Sequence, residues 1–280
     1  MGSHEDRAIR EQANALLRAG QIADADVLLT EHTKSRPNDH EALAMRAHIA
    51  SMQRRLNEAE TLLMRAIRGD RRRADYHALL AEVLTTSGRH RAAIGRYDTA
   101  LKIQNDYDAA HAGKAETYLR MGKVDRAIAS LEKAPDTPIT AIPKLRSLMR
   151  QHKYDDAIAV AKSHLPATQC TNDVQRGLWF GLGQASERAE EYESAFDAFS
   201  KANALSMGGW TDEVDRQRND TLMRSFSADS MATLPRSDCS SDRPIFVVGL
   251  PRCGSTLVEQ IIDAHPDATG VGEIETLAEL

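Results

Sequence analysis

The sequence predicts a mainly α protein: a solenoid of stacked helical hairpins followed by the first strand, loop and helix of an α/β domain. Two observations predict the solenoid. Small residues recur 34 apart at Ala25, Ala59, Ala93 and Ala127, and a second file runs His32, Ala66, Ala100 and Ala134 at the same interval. Gly20, Gly88 and Gly122 share that register, with Arg54 in the remaining slot. A unit of that length, with a glycine between two helical periodicities and small residues where helices approach, is the mark of a hairpin that stacks on its copies. A third observation predicts the α/β part. The stretch RPIFVVGLPRCGSTLVEQIIDAHP, Arg243 to Pro266, reads as a buried strand, a glycine turn and a helix.

Six hairpin units account for the first three quarters of the chain, at about 6–39, 40–73, 74–107, 108–137, 138–173 and 174–209. The last is the clearest, with Trp179, Leu182 and Gly183 in its first helix and Ala195, Phe199 and Ala202 along its second. These W-x2-L-G and A-x3-F spacings resemble the tetratricopeptide repeat. The fifth unit is the most irregular: Ala157 follows Ala127 by 30 residues, and Pro135, Pro138 and Pro143 lie between. Proline supplies no helical N–H and restrains its predecessor, so the first helix of that unit is expected to be short or late-starting, with a change of superhelical path there. Trp210 to Phe226 is polar with spaced Val214, Leu222 and Met223, as in a helix closing a solenoid. The expected domains are therefore residues 6–226 for the repeats and their cap, a linker rich in Ser, Asp, Pro and Arg at 227–242, and residues 243–280 for the start of the α/β domain.

Within that last part Ile245 to Val248 is the apolar strand, Gly249 to Gly254 the turn, and Leu257, Ile261 and Ala264 carry helical spacing up to His265 and Pro266. Backbone N–H groups and the positive helix end then converge on one point, which favours an anion. Gly249, Gly254 and Thr256 satisfy the GxxxxGK[ST] pattern, but Ser255 stands where the lysine for a triphosphate belongs. That argues against nucleoside triphosphate hydrolysis and for a single phosphate, with Arg252 adding positive charge. A cysteine-phosphatase reading fails because Glu259, six positions after Cys253, replaces the arginine that would close such a loop.

The segment PIFVVGLPRCGSTLVEQIIDAHP resembles the 5′-phosphosulfate loop of sulfotransferases that use 3′-phosphoadenosine 5′-phosphosulfate (PAPS), whose usual form is PRSGTTL. The pairing with tetratricopeptide repeats resembles the bacterial repeat-fused sulfotransferases, whose catalytic domains are similar to tyrosylprotein sulfotransferases. Cys253 replaces serine and Ser255 replaces threonine, and both substitutions stay small. The resemblance implies that Arg252, Gly254, Ser255, Thr256 and Leu257 bind the 5′-phosphosulfate of PAPS, with Arg252 also stabilising the departing phosphate. It implies that Glu273, in the Gly-Glu pair after the helix-ending His-Pro, is the general base toward an acceptor hydroxyl. Glu273 also reads as a first-turn acid of a helix carrying Ile274, Leu277 and Leu280, and the two readings are compatible; Glu275 is the alternate base.

Composition bounds the rest. At 280 residues, 41% hydrophobic and 28% charged, the chain has the make-up of a globular protein with room for one large or two ordinary domains. A net charge of -5 offers no overall attraction to nucleic acid or to an anionic membrane. No apolar run approaches a bilayer span, and the polar start MGSHEDRAIR lacks the core of a secretion signal, so the expected location is cytoplasmic. Cys170, Cys239 and Cys253 have no metal-ligand spacing, and no metal motif is present. The histidines His77, His90, His111 and His164 and the tyrosines Tyr97, Tyr118 and Tyr192 read as packing groups, and Arg71 to Arg73 as a solvated basic turn. Stacked first helices make a concave surface suited to a protein or peptide partner. Residues 243–280 alone fall short of the roughly 100–150 residues of a compact domain. A truncated chain is therefore expected, one that folds as a solenoid and binds PAPS weakly or not at all. Two functions follow: a sulfotransferase whose repeats recruit the acceptor, or a non-catalytic interaction module.

Overall fold

The structure is a computed structural model that describes residues 2–165, 170–205, 212–233, 241, 243–248 and 254–272. The chain divides into two compact units, Met1–Gly209 and Trp210–Leu280.

The first unit is a run of six antiparallel helical hairpins. They are α1 (Gly2–Arg18) with α2 (Ile22–Ser35), α3 (His40–Met52) with α4 (Leu56–Gly69), and α5 (Ala74–Thr86) with α6 (His90–Ile103). The run continues with α7 (Asp108–Arg120) and α8 (Val124–Leu131), α9 (Pro138–Arg150) and α10 (Tyr154–Ser163), and α11 (Asn172–Arg188) and α12 (Tyr192–Ala204). One device closes every first helix. The residue after the helix cap is left-handed, at Gly20, Arg54, Gly88, Gly122, His152 and Glu190. The following N–H then reaches back to a carbonyl five residues earlier, as from Arg89 to Leu84 at 2.9 Å and from Glu191 to Ser186 at 2.8 Å. This satisfies carbonyls that the helix end would leave bare and turns the chain within three residues.

The small-residue files lie where the helices touch. Ala25, Ala59, Ala93, Ala127 and Ala157 are fully buried, as are Ala66 and Ala100. Gly183 shows why the repeat motif couples its two halves: a Cβ there would sit 2.6 Å from Cε1 of Phe199, so the ring of the second helix packs on the bare backbone of the first. Ala134 departs from its file and is only half-buried, because α8 ends at Leu131.

The irregularity of the fifth unit resolves differently from the expectation. Its first helix, α9, is 13 residues long, the same as α3, α5 and α7. Pro138 occupies the first turn, where no N–H is needed, and Thr137 caps the helix by accepting from Thr140 N–H. Pro143 lies inside the helix, and the carbonyl of Pro143 accepts from Ser147 Oγ at 2.8 Å. The shortened element is instead α8, with 8 residues. Tyr97 is buried as expected and Tyr118 half-buried, but Tyr192 is exposed, since among the described residues no further hairpin of the array follows α12.

The second unit holds α13 (Asp212–Ser225), α14 (Ala228–Thr233) and α15 (Ser255–Asp263). Within the segment read as a linker, Ala228–Thr233 is helical. Residues 243–248 form no strand, and Ile245, Phe246 and Val248 are exposed. A strand exists only through a ladder partner, and none of the described residues supplies one.

Candidate functional site

Chemistry-bearing residues gather in two places, one in each unit. In the second unit, Gly254 is the N-cap of α15 with φ 93° and ψ 16°, a left-handed backbone that glycine alone adopts without strain. No side chain caps this helix end. The first helical bond runs from Val258 N–H to Gly254 C=O at 3.1 Å, so the helix itself leaves the N–H groups of Ser255, Thr256 and Leu257 unused. Arg252, Cys253, Glu273 and Glu275 lie outside the described residues.

A feature that the sequence reading missed lies along the same helix, from its second turn to its carboxyl end. The carboxylate of Asp263 accepts from Gly270 N–H at 2.5 Å, and that of Glu259 accepts from Gly272 N–H at 2.7 Å. The chain leaving α15 thus folds back along it, and Gly272 is tied to the helix's second turn. Two acids four apart on one helix face, followed by a Gly-x-Gly, was the available signal.

In the first unit, a groove of about 780 Å³ runs along the first helices of five hairpins. Its lining repeats with the hairpins. Asn14, His48, Glu82 and Glu116 occupy one position of successive units, and Met45, Leu79 and Gly113 another. At the groove edge an ion-pair lattice ties consecutive hairpins together: Arg10 to Asp39 at 2.6 Å and to Glu41 at 2.9 Å, then Glu41 to Arg73 and Arg73 to Asp75 at 2.9 and 2.8 Å. The Arg73 guanidinium also lies 4.6 Å from the Tyr76 ring centre. Arg73 is therefore a structural cation, while Arg71 and Arg72 are exposed as expected of a solvated turn. Burial pushes the hydroxyls of Tyr76 and Tyr97 up, keeping both neutral.

Asp6, His32 and Asp39 bring three possible metal-ligating atoms within 4.8 Å of one another. Their carboxylates are already engaged, Asp39 by Arg10 and by His32 at 2.9 Å and Asp6 by Arg36 at 3.4 Å, so a metal would have to displace two arginines. The other histidines read from sequence as packing groups behave so: His111 makes contacts to the carbonyls of Asn105 and Ser130 at 2.9 and 3.2 Å, and His77 to that of Arg71 at 3.2 Å.

Fold and groove together define a helical-repeat protein of the protein-interaction class. Residues 16–83, 84–138 and 143–209 match tetratricopeptide repeat families, and residues 244–280 match the sulfotransferase family. The chain is a tetratricopeptide-repeat array fused to a sulfotransferase-like segment. An uncharacterised protein of Aquifex aeolicus (strain VF5) is 29% identical over 126 residues, which is 43% of this chain and 16% of that protein. The aligned part thus spans about a sixth of the length of that curated relative. Among solved structures, TTC0263, a tetratricopeptide-repeat protein of Thermus thermophilus, aligns with a TM-score of 0.56 at 19% identity, over 63% of this chain and 98% of that one. The pilF protein of Pseudomonas aeruginosa aligns with a TM-score of 0.54 at 17% identity, over 79% of this chain and all of that one. These likenesses establish the fold. Among the described residues no helix is long and apolar enough to cross a membrane.

Proposed function

We propose that the protein transfers the sulfuryl group of PAPS to an acceptor hydroxyl, and that the repeats recruit the acceptor or the partner that carries it. The observation that carries this reading is the amino end of α15. It combines the left-handed Gly254, three N–H groups that the helix does not use and no side-chain cap, inside the segment that matches the sulfotransferase family. Such an end favours an anion through its free donors and the helix dipole. Arg252, Gly254, Ser255, Thr256 and Leu257 hold the 5′-phosphosulfate. Glu273, directly after Gly272, takes the proton of the acceptor hydroxyl. The acceptor oxygen forms a bond to sulfur as the bond from sulfur to the 5′-phosphate oxygen breaks, and adenosine 3′,5′-bisphosphate leaves with its charge met by Arg252 and the loop. The protein's part is positioning and charge stabilisation, as in phosphoryl transfer.

The test is transfer of radiolabelled sulfate from PAPS to hydroxyl acceptors by the full-length protein, beside Arg252→Ala and Glu273→Gln. Each variant is expected to lose roughly 100-fold or more of the rate, in line with removal of a charge-stabilising group or a general base. Nucleoside triphosphate hydrolysis by the wild type, or undiminished transfer by both variants, would sink the assignment.

A further inference from the structure

Glu82 differs from the other charges that line the groove. Arg10 and Arg73 are held by Asp39, Glu41 and Asp75, and Glu116 pairs with Arg146 at 2.8 Å and Arg120 at 3.8 Å. The Glu82 carboxylate makes no ion pair and no hydrogen bond among the described residues, and the residue is exposed. It stands midway along the groove, with His48 one repeat before it and Glu116 one repeat after. Its charge, second to burial, also helps to keep the phenol of Tyr97 in the neutral form. The lining holds four carboxylates, of Glu41, Asp75, Glu82 and Glu116, against three guanidinium groups, of Arg10, Arg73 and Arg120, and Glu82 is the carboxylate among them with no ion pair. Beside it Met45 and Leu79 offer half-buried apolar surface from neighbouring repeats.

We propose that the groove takes an extended peptide segment that sets a lysine or arginine on Glu82 and lays aliphatic side chains on Met45 and Leu79. An acidic segment would meet Glu82 with its own charge and find each lining arginine already in an ion pair, so charge complementarity selects the basic partner. This rests on the reading of the array as the recruiting module and specifies what it recruits.

The test is selection from a random peptide display library on the full-length protein, wild type and Glu82→Gln in parallel, followed by fluorescence anisotropy titration of the selected peptides. Glu82 is exposed and without a partner, so the variant is expected to fold as the wild type does, and circular dichroism checks this. Wild type is expected to enrich peptides with a basic residue next to aliphatic ones. Glu82→Gln is expected to weaken their binding about fivefold, the worth of a partly exposed ion pair, with a smaller salt dependence than wild type. Enrichment of acidic or uncharged peptides, or equal binding of basic peptides by Glu82→Gln, overturns the basic-partner proposal and leaves recruitment standing. No enrichment above the starting library overturns both.

Discussion

Arg54, His152 and Glu190 hold left-handed backbone at the turn position where three other hairpins use glycine. A side chain with a Cβ pays about 1–2 kcal/mol for that conformation, and glycine returns part of the gain through the greater freedom of its unfolded state. Replacing each by glycine is expected to stabilise the array by about 0.5–1 kcal/mol, read as a higher urea midpoint with unchanged slope. Arg54 was legible in the sequence because it falls on the 34-residue register. His152 and Glu190 were not, because their spacings from the preceding turn are 30 and 38. The first reflects the short α8, and the second reflects α11, whose 17 residues exceed the 13 of α9 by one turn. Asp39 carries the pH dependence at this scale. Burial works against its ionised form, but hydrogen bonds from His32, Ala42 N–H and Arg10 outweigh that and hold its carboxyl below the usual range. A carboxyl so lowered contributes stability above its unfolded value of about 4 and loses it as the pH falls further. Asp39→Asn keeps a capping oxygen for α3 but removes the charge, so a loss of about 1–2 kcal/mol at neutral pH is expected, with a flatter melting profile below pH of about 4. An unchanged acid limb in the variant would remove Asp39 from that account.

Elements were legible wherever local chemistry decides them. The W-x2-L-G and A-x3-F spacings locate α11 and α12 because Gly183 and Phe199 touch, and the contact constrains both positions at once. Gly183→Ala places a methyl 2.6 Å from the Phe199 ring, and a loss of about 1–3 kcal/mol is expected from overpacking. The double variant Gly183→Ala with Phe199→Leu should lose less than the sum of the two single losses, because the smaller side chain makes room. Strict additivity in thermal or urea unfolding would refute the contact as the cause. The strand expected at Ile245 to Val248 is a different case, since those residues form none. Its apolar run records what the segment would bury, whereas a strand forms only through a neighbour that lies elsewhere in the sequence. The helix of the same motif needs no such neighbour, and α15 starts at Ser255, directly after its glycine cap. The ties from Asp263 and Glu259 to Gly270 and Gly272 were hidden for a further reason, since a carboxylate's choice of backbone N–H follows from a loop path that no periodicity encodes.

At the scale of the array, the apolar core is a chain of separate clusters. One spans α3 to α7, with Leu63, Tyr76, Leu80 and Tyr97 at its centre. Another pair, built on Leu145, Ile158 and Leu182 and on Ala141 and Leu178, holds α9 to α12. Between them lies only the small group of Ala115, Leu119 and Ala127, next to the shortened α8. In an array whose units contact only their neighbours, stability is a sum of local terms, and a junction with a small apolar core is where cooperativity is expected to weaken. Leu178→Ala removes a fully buried side chain from the second block, a loss of about 2–5 kcal/mol. Hydrogen exchange is expected to quicken through α9 to α12 while the amides of α3 to α6 keep their wild-type protection. Equal loss of protection along the whole array would show that the junction at α8 transmits stability in full, and the two blocks would then count as one folding unit.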